Sequence, residues 1–196
     1  MQTGKISIRQ ARPEEAPLVA KLIMTAMTDE CCLFFCGEKY GIDDFHRVMT
    51  RLVERDDTQY SYENTLCAAD TDDNIMGICT SYDGAKLHQL RQAFIQTAKE
   101  EWGMDHSHIP DETEAGELYI DSLAVSPLHR GKGLATELLK ATIAKAQSLG
   151  ISRTGLLVDT GNPKAEALYL RVGFKSVGTN SWGGHPMKHL VFQDKY

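Results

Sequence analysis

The stretch Leu123 to Ala135, LAVSPLHRGKGLA, carries the residues best suited to chemistry. An apolar run leads into a short loop with Arg130, Gly131, Lys132 and Gly133, and a helical pattern begins at Leu134 and Ala135. The first turn of a helix leaves backbone N–H groups unpaired, and these attract anions together with the positive end of the helix dipole. Gly131 and Gly133 let the backbone approach an anion closely, and Arg130 and Lys132 add positive charge at the same point. The arrangement predicts a seat for phosphate or pyrophosphate. It is not a Walker loop, because Leu134 follows Gly133 where that loop needs Lys. It also lacks the third glycine of a dinucleotide-binding GxGxxG loop. The alternative is a plain strand–helix turn whose glycines serve geometry.

Periodicity supplies the elements that must hold this loop. Glu117 to Val125 reads as the strand before it, and Gly133 to about Gln147 as the helix after it, stopped by Gly150. Upstream, Lys5 to Arg12 alternates as a strand, and Ala16 to about Thr28 is a helix opened by Pro13. An apolar connection rich in Cys follows at Cys31 to Gly37, then a helix at about Asp43 to Arg55. Thr65 to Ala69 and Ile75 to Ser81 read as a hairpin. A full helix at Ala85 to about Trp102 and an acidic loop at Gly103 to Gly116 separate that hairpin from the strand at Glu117. Downstream come a strand at Thr154 to Val158, a helix at Pro163 to about Val172, and strands at Phe174 to Val177 and Lys188 to Phe192. A glycine-rich loop, Gly178 to Pro186, joins the last two. The sum is a mixed α/β chain, residues 1–196 being expected as one domain with a helical insert at about 84–116.

Composition narrows the class. The 196 residues carry a formal net charge of −6, with 42% hydrophobic and 24% charged residues. Binders of nucleic acid usually show a basic surplus, so nucleic acid is not an expected partner. A cationic substrate fits better. No signal-peptide pattern stands at Met1 to Gln10, and no apolar run is long enough to span a bilayer. The five cysteines, Cys31, Cys32, Cys36, Cys67 and Cys79, are expected as reduced, packed thiols of a cytoplasmic protein. Their spacing matches no usual zinc site, and no metal is called for.

Arg130 to Ala135, RGKGLA, fits R-x-x-G-x-A. Downstream, Asn162, Ala165, Leu168, Tyr169, Gly173 and Phe174 fit N-x-x-A-x-x-L-Y-x-x-x-G-F. In this order and spacing the two motifs resemble those of the GNAT superfamily of acetyl-CoA-dependent N-acetyltransferases. The resemblance implies a central, mostly antiparallel sheet flanked by helices, with two central strands splayed apart around acetyl-CoA. It implies that backbone groups of Leu123, Ala124 and Val125 hold the pantetheine arm and polarise the thioester carbonyl. It further implies that Arg130, Gly131, Lys132, Gly133, Leu134 and Ala135 seat the pyrophosphate, that Asn162 helps hold the cosubstrate, and that Tyr169 protonates the leaving thiolate. The helical insert is the departure from the family, which usually joins those strands by a short turn.

Such a transfer also needs a base, because an amine at neutral pH is mostly protonated. Glu117 and Asp121 alternate onto one face of the strand with Tyr119 between them, and either is a candidate. No Cys lies on the matched motifs, so direct attack in a ternary complex is expected rather than an acetyl-cysteine. In the family that the motifs resemble, the acceptor enters near this strand, which makes the acidic loop with Asp105, His106, His108, Asp111, Glu112 and Glu114 a candidate lining of the acceptor site; the alternative is a solvated loop after a surface helix. Trp182 to His185 would form the opposite wall. The expected acceptor is a small cationic amine, with a peptide or protein amine as the first alternative and a non-catalytic CoA-binding regulator as the second. A monomer or a homodimer is expected.

Overall fold

The computed structural model describes residues 6–194. Its strands form one seven-stranded sheet in the order β1-β2-β3-β4-β5-β7-β6. These are β1 (Ser7–Gln10), β2 (Thr65–Ala69), β3 (Ile75–Asp83), β4 (Glu117–Val125), β5 (Arg153–Asp159), β6 (Lys175–Trp182) and β7 (His185–Gln193). Every neighbouring pair is antiparallel except β4–β5. The helices are α1 (Ala16–Met27), α2 (Asp29–Cys36), α3 (Ile42–Val53), α4 (Leu87–Trp102), α5 (Leu134–Ser148) and α6 (Pro163–Val172). None is long and apolar enough to cross a membrane among the described residues. The mixed sheet flanked by helices, with an inserted helix before β4, is the expected architecture.

Two large apolar cores pack on the sheet, beside a small cluster of Tyr82, Leu87, Leu90 and Tyr119. One joins α1, α2, α3 and α4 through Ile23, Phe35, Phe45, Leu52 and Phe94. The other joins α5 to the strands through Leu134, Leu138, Leu139, Ile120, Leu156 and Phe174. Both bury the stripe that each helix repeats at helical spacing.

Local structure departs from expectation at three places. Residues 31–36, expected as a connection, belong to helix α2: Thr28 Oγ1 accepts from the Cys31 N–H, and Cys32, Phe35 and Cys36 turn one buried face inward. All five cysteines are free thiols; four are buried and Cys31 is half-buried. The expected loop at 178–186 is instead the tip of the β6–β7 hairpin. Trp182 pairs with His185 across Gly183 and Gly184, which take φ of 59° and 80°. Two positive φ angles suit a tight hairpin turn, so the glycines close strands rather than separate them. Lastly, Thr80 pairs with Ser122 and Ser81 with Ile120, which leaves Asp121 as an extra residue of β4, a β-bulge. The simple alternation expected for Glu117, Tyr119 and Asp121 therefore breaks at Asp121. Of the expected first strand, Lys5 lies outside the described residues, as do Met1 to Gly4 of the polar N-terminal stretch.

Candidate active site

The parallel pairing of β4 and β5 runs from Glu117↔Arg153 to Ile120↔Leu156 and stops. Beyond it β5 continues on β7 as far as Asp159↔Met187, while β4 continues on β3 as far as Val125↔Gly77. The two strands diverge, and the β5-facing backbone groups of residues 121–125 have no strand partner among the described residues. Leu123, Ala124 and Val125 thus line one side of a wedge in mid-sheet. Such a free strand edge can receive an extended amide chain through main-chain hydrogen bonds.

The loop after β4 lies at the mouth of this wedge. Gly131 and Gly133 take φ of 76° and 80°, and a Cβ on either would meet nothing within 4 Å, so the backbone there faces open space. Gly133 is the N-cap of α5 and supplies no side-chain cap. The first-turn N–H groups of Leu134 and Ala135 are left without a helical partner, with Gly131 and Gly133 beside them. Arg130 and Lys132 are exposed, and Arg130 Nε donates to the Val125 carbonyl at 3.2 Å, which ties the loop to the strand end. These donors and charges fit a pyrophosphate. A groove of about 500 Å³ begins at Thr136 in the first turn of α5 and runs past Lys140 to Arg171, Val172 and Phe192.

The other rim is formed by the end of β5 and by α6. Asn162 caps α6, its Oδ1 accepting from the Ala165 N–H at 3.2 Å. Tyr169 packs against Phe174 with ring centroids 6.0 Å apart, on the apolar cluster that Leu123, Val125 and Val158 share. Burial, with Cys79 nearby, raises its phenol well above the ordinary value, so the hydroxyl stays protonated through neutral pH.

Of the two carboxylates expected as bases, only Asp121 reaches the wedge. It is the first residue past the last β4–β5 pair, and it accepts from Ser122 Oγ at 2.7 Å and Gln59 Nε2 at 3.3 Å. Burial, and then the charge of Glu112, pushes its pKa up to about 6, while the Ser122 and Gln59 hydrogen bonds act in the opposite direction. A carboxylate poised near neutrality is suited to proton abstraction. Glu117 is fully enclosed where β4 and β5 still pair. It accepts from Thr113 Oγ1 at 2.7 Å, lies 3.0 Å from His189 Nε2 and pairs with Arg153 at 3.7 Å. Those contacts tie the end of the insert to β5 and β7.

The insert covers one side of the wedge. Arg91 of α4 is 5% exposed, donates to the Ile109 and Pro110 carbonyls and to Asp111, and forms a buried ion pair with Glu112. Glu112 also accepts from Tyr82 Oη at 2.9 Å and Trp182 Nε1 at 3.3 Å. Phe35, Gln59, Tyr60, Phe94 and Ile109 complete a small cavity beneath them. Of the acidic-loop residues, Glu112 lines this cavity. Asp111 pairs with Arg91 and His88, and Asp105 caps the Ser107 N–H. His106 stacks on Phe94 and bonds the Phe35 carbonyl. Trp182 forms the far wall, 5.6 Å from Phe35 between centroids, whereas His185 sits on Asp159. The sequence reading had no signal for Gln59 or Arg91. Both matter through partners far away in the chain, and neither lies in a motif.

Comparison with known proteins agrees with this geometry. The profile of the acetyltransferase (GNAT) family matches residues 31–174. An acetyltransferase of Agrobacterium fabrum is 37% identical over 67 residues, which is 34% of this chain and 47% of that protein, so the match spans about half the length of this curated relative. The crystal structure of an N-acetyltransferase from Staphylococcus aureus Mu50 superposes with a TM-score of 0.78 at 25% identity, over 95% of this chain and all of the other. A further acetyltransferase crystal structure gives 0.79 at 24% identity, over 96% of this chain and all of the other. The wedge, the glycine loop and the profile match point the same way: the chain belongs to the acetyltransferase (GNAT) family.

Proposed function

We propose that this protein is an acyltransferase that moves the acetyl group of acetyl-CoA onto the primary amine of a small molecule by direct attack in a ternary complex. The observation that carries the reading is the divergence of β4 from β5 past Ile120↔Leu156, with the Arg130–Ala135 loop at its mouth and Asp121 at its apex. In this reading the free edge at Leu123 to Val125 holds the pantetheine arm, and a backbone N–H there polarises the thioester carbonyl. Gly131, Gly133, Leu134 and Ala135 seat the pyrophosphate with Arg130 and Lys132. Asn162 steadies the arm from the other rim, and the groove by Lys140 and Arg171 takes the nucleoside end. Acetyl-CoA supplies an activated acyl carbon.

Asp121 takes a proton from the ammonium, and the freed amine attacks that carbon. The N–C bond forms and the C–S bond breaks. Tyr169, held protonated by burial, donates to the departing sulfur and is reprotonated by the second proton that the acylated nitrogen sheds, while the proton on Asp121 passes to solvent. One proton is released overall. Glu117 has no part in the chemistry.

The covered acceptor side favours a small molecule over a polypeptide. Arg91 and Glu112 fasten the 103–116 loop across it, and Trp182 closes the far wall. The test is thiol release from acetyl-CoA against amines, amino acids and peptides. Turnover with small amines, reduced at least tenfold in Tyr169→Phe, is expected; turnover with peptides alone would overturn the acceptor assignment. Tight acetyl-CoA binding without release for any acceptor would instead favour a CoA-binding regulator.

A further inference from the structure

Gln59, in the wall of the cavity beneath the insert, carries a buried oxygen without a donor. Gln59 is 4% exposed, and its Oε1 has no hydrogen-bond partner among the described residues. Its Nε2 donates to Asp121, which settles the orientation of the amide, since the reverse would set a carbonyl oxygen against a carboxylate. The turn that carries it is tied down. Thr58 Oγ1 donates to the Leu52 carbonyl at 2.9 Å, and Asn64 Nδ2 to the carbonyls of Thr58 at 2.9 Å and Gln59 at 3.4 Å. A buried acceptor left unpaired is costly and calls for a donor from outside the chain.

The cavity volume is about 10 Å³, the room of a single water or a single ammonium head. Its walls are largely apolar: Phe35, Tyr60, Phe94 and Trp182. Arg91 is the one cation among the described lining residues, and its Nη atoms are already engaged with Ile109, Pro110, Asp111 and Glu112. A carboxylate on the acceptor would find no free cation there and would lie beside Glu112 and Asp121.

We propose that Gln59 Oε1 holds the ammonium group of the acceptor beside Asp121, and that the site takes small primary amines whose stem carries no carboxylate. This rests on the transferase reading above. The donor that Oε1 lacks is then the substrate itself, and the same amide that binds the amine also aligns the carboxylate that deprotonates it.

The test compares n-pentylamine with norleucine, the same chain without and with a carboxylate, in steady-state thiol release at saturating acetyl-CoA. In the wild type, kcat/KM for pentylamine should exceed that for norleucine by roughly tenfold or more. In Gln59→Met the pentylamine KM should rise on the order of tenfold, the usual cost of losing a hydrogen bond to a charged group, with the acetyl-CoA KM within about twofold. Gln59→Glu keeps the oxygen and the size, and guards against a Met variant that fails to fold. It should hold the pentylamine KM within about threefold while the acid limb of kcat/KM moves to higher pH, because two carboxylates then share the site.

An unchanged amine KM in Gln59→Met would overturn the inference by assigning Oε1 to a resident water. An equal rise in both KM values, or norleucine matching pentylamine, would overturn it too. If the wild type releases no thiol with any amine, the transferase reading fails and the inference falls with it. An active wild type with a silent Gln59→Met defeats the inference alone.

Discussion

Replacing Asp121 by Asn should lower activity and raise stability together. The Asp121 carboxyl titrates near 6 in the folded protein against an ordinary 3.8, because burial and Glu112 disfavour its charge. The folded chain therefore holds this proton more tightly than the unfolded chain does. Ionising it destabilises the fold at pH above 6, and the penalty is relieved as pH falls from 6 towards 4. Two pH units correspond to up to about 3 kcal/mol. Asn at this position keeps a carbonyl for Gln59 Nε2 and has no charge to bury. Its melting temperature at pH 8 should thus exceed that of the wild type by several degrees, at roughly 2–4 °C per kcal/mol, with the gain gone near pH 4. Thiol release should meanwhile fall by about 10²–10⁴-fold, the usual share of a general base, and the acid limb of kcat/KM near pH 6 should disappear. Glu117→Gln is the contrast: a loss of about 1–3 kcal/mol in urea unfolding, since three polar partners lose a charged acceptor, with kcat/KM within about threefold. The reasoning is refuted if Asp121→Asn retains near-wild-type kcat/KM, or if it melts lower than the wild type at pH 8.

Two further outcomes follow from the loop and the insert. Gly133→Ala forces a residue with a Cβ into φ near 80°, at a cost of about 1–2 kcal/mol. It should raise the acetyl-CoA KM on the order of tenfold and leave the acceptor KM alone; an equal rise in both would separate the loop from the pyrophosphate. Arg91→Met leaves Glu112 buried without its cation and should cost about 3–5 kcal/mol in chemical unfolding, whereas adding Glu112→Gln should recover part of that loss. A double variant no more stable than Arg91→Met would refute a latch made by the charge pair.

Much of this protein is local in origin and could be read along the chain. The glycine loop depends on residues adjacent in sequence: glycines free to take positive φ, a following helix whose first N–H groups are unpaired by construction, and Arg130 and Lys132 beside them. Helices α1, α3, α4 and α5 declared their buried stripes by spacing, whereas in α2 cysteines masked a short helical face. The Gly183–Gly184 turn was misread because glycines mark loops and tight hairpins alike. Asn162 and Tyr169 were legible only through their resemblance to a family motif.

Tertiary structure alone decided the rest. Glu117 and Asp121 have the same residue character and share a strand, yet the bulge opposite Thr80 and Ser81 and the loss of β5 as a neighbour after Ile120 send one into the wedge and leave the other enclosed. Gln59 meets Asp121, and Arg91 meets Glu112, across stretches of chain that carry no periodic signal linking them. Local preference sets which backbone groups a loop offers to a ligand. Proton affinity and access depend on what other segments pack against a side chain, and only the folded chain specifies that.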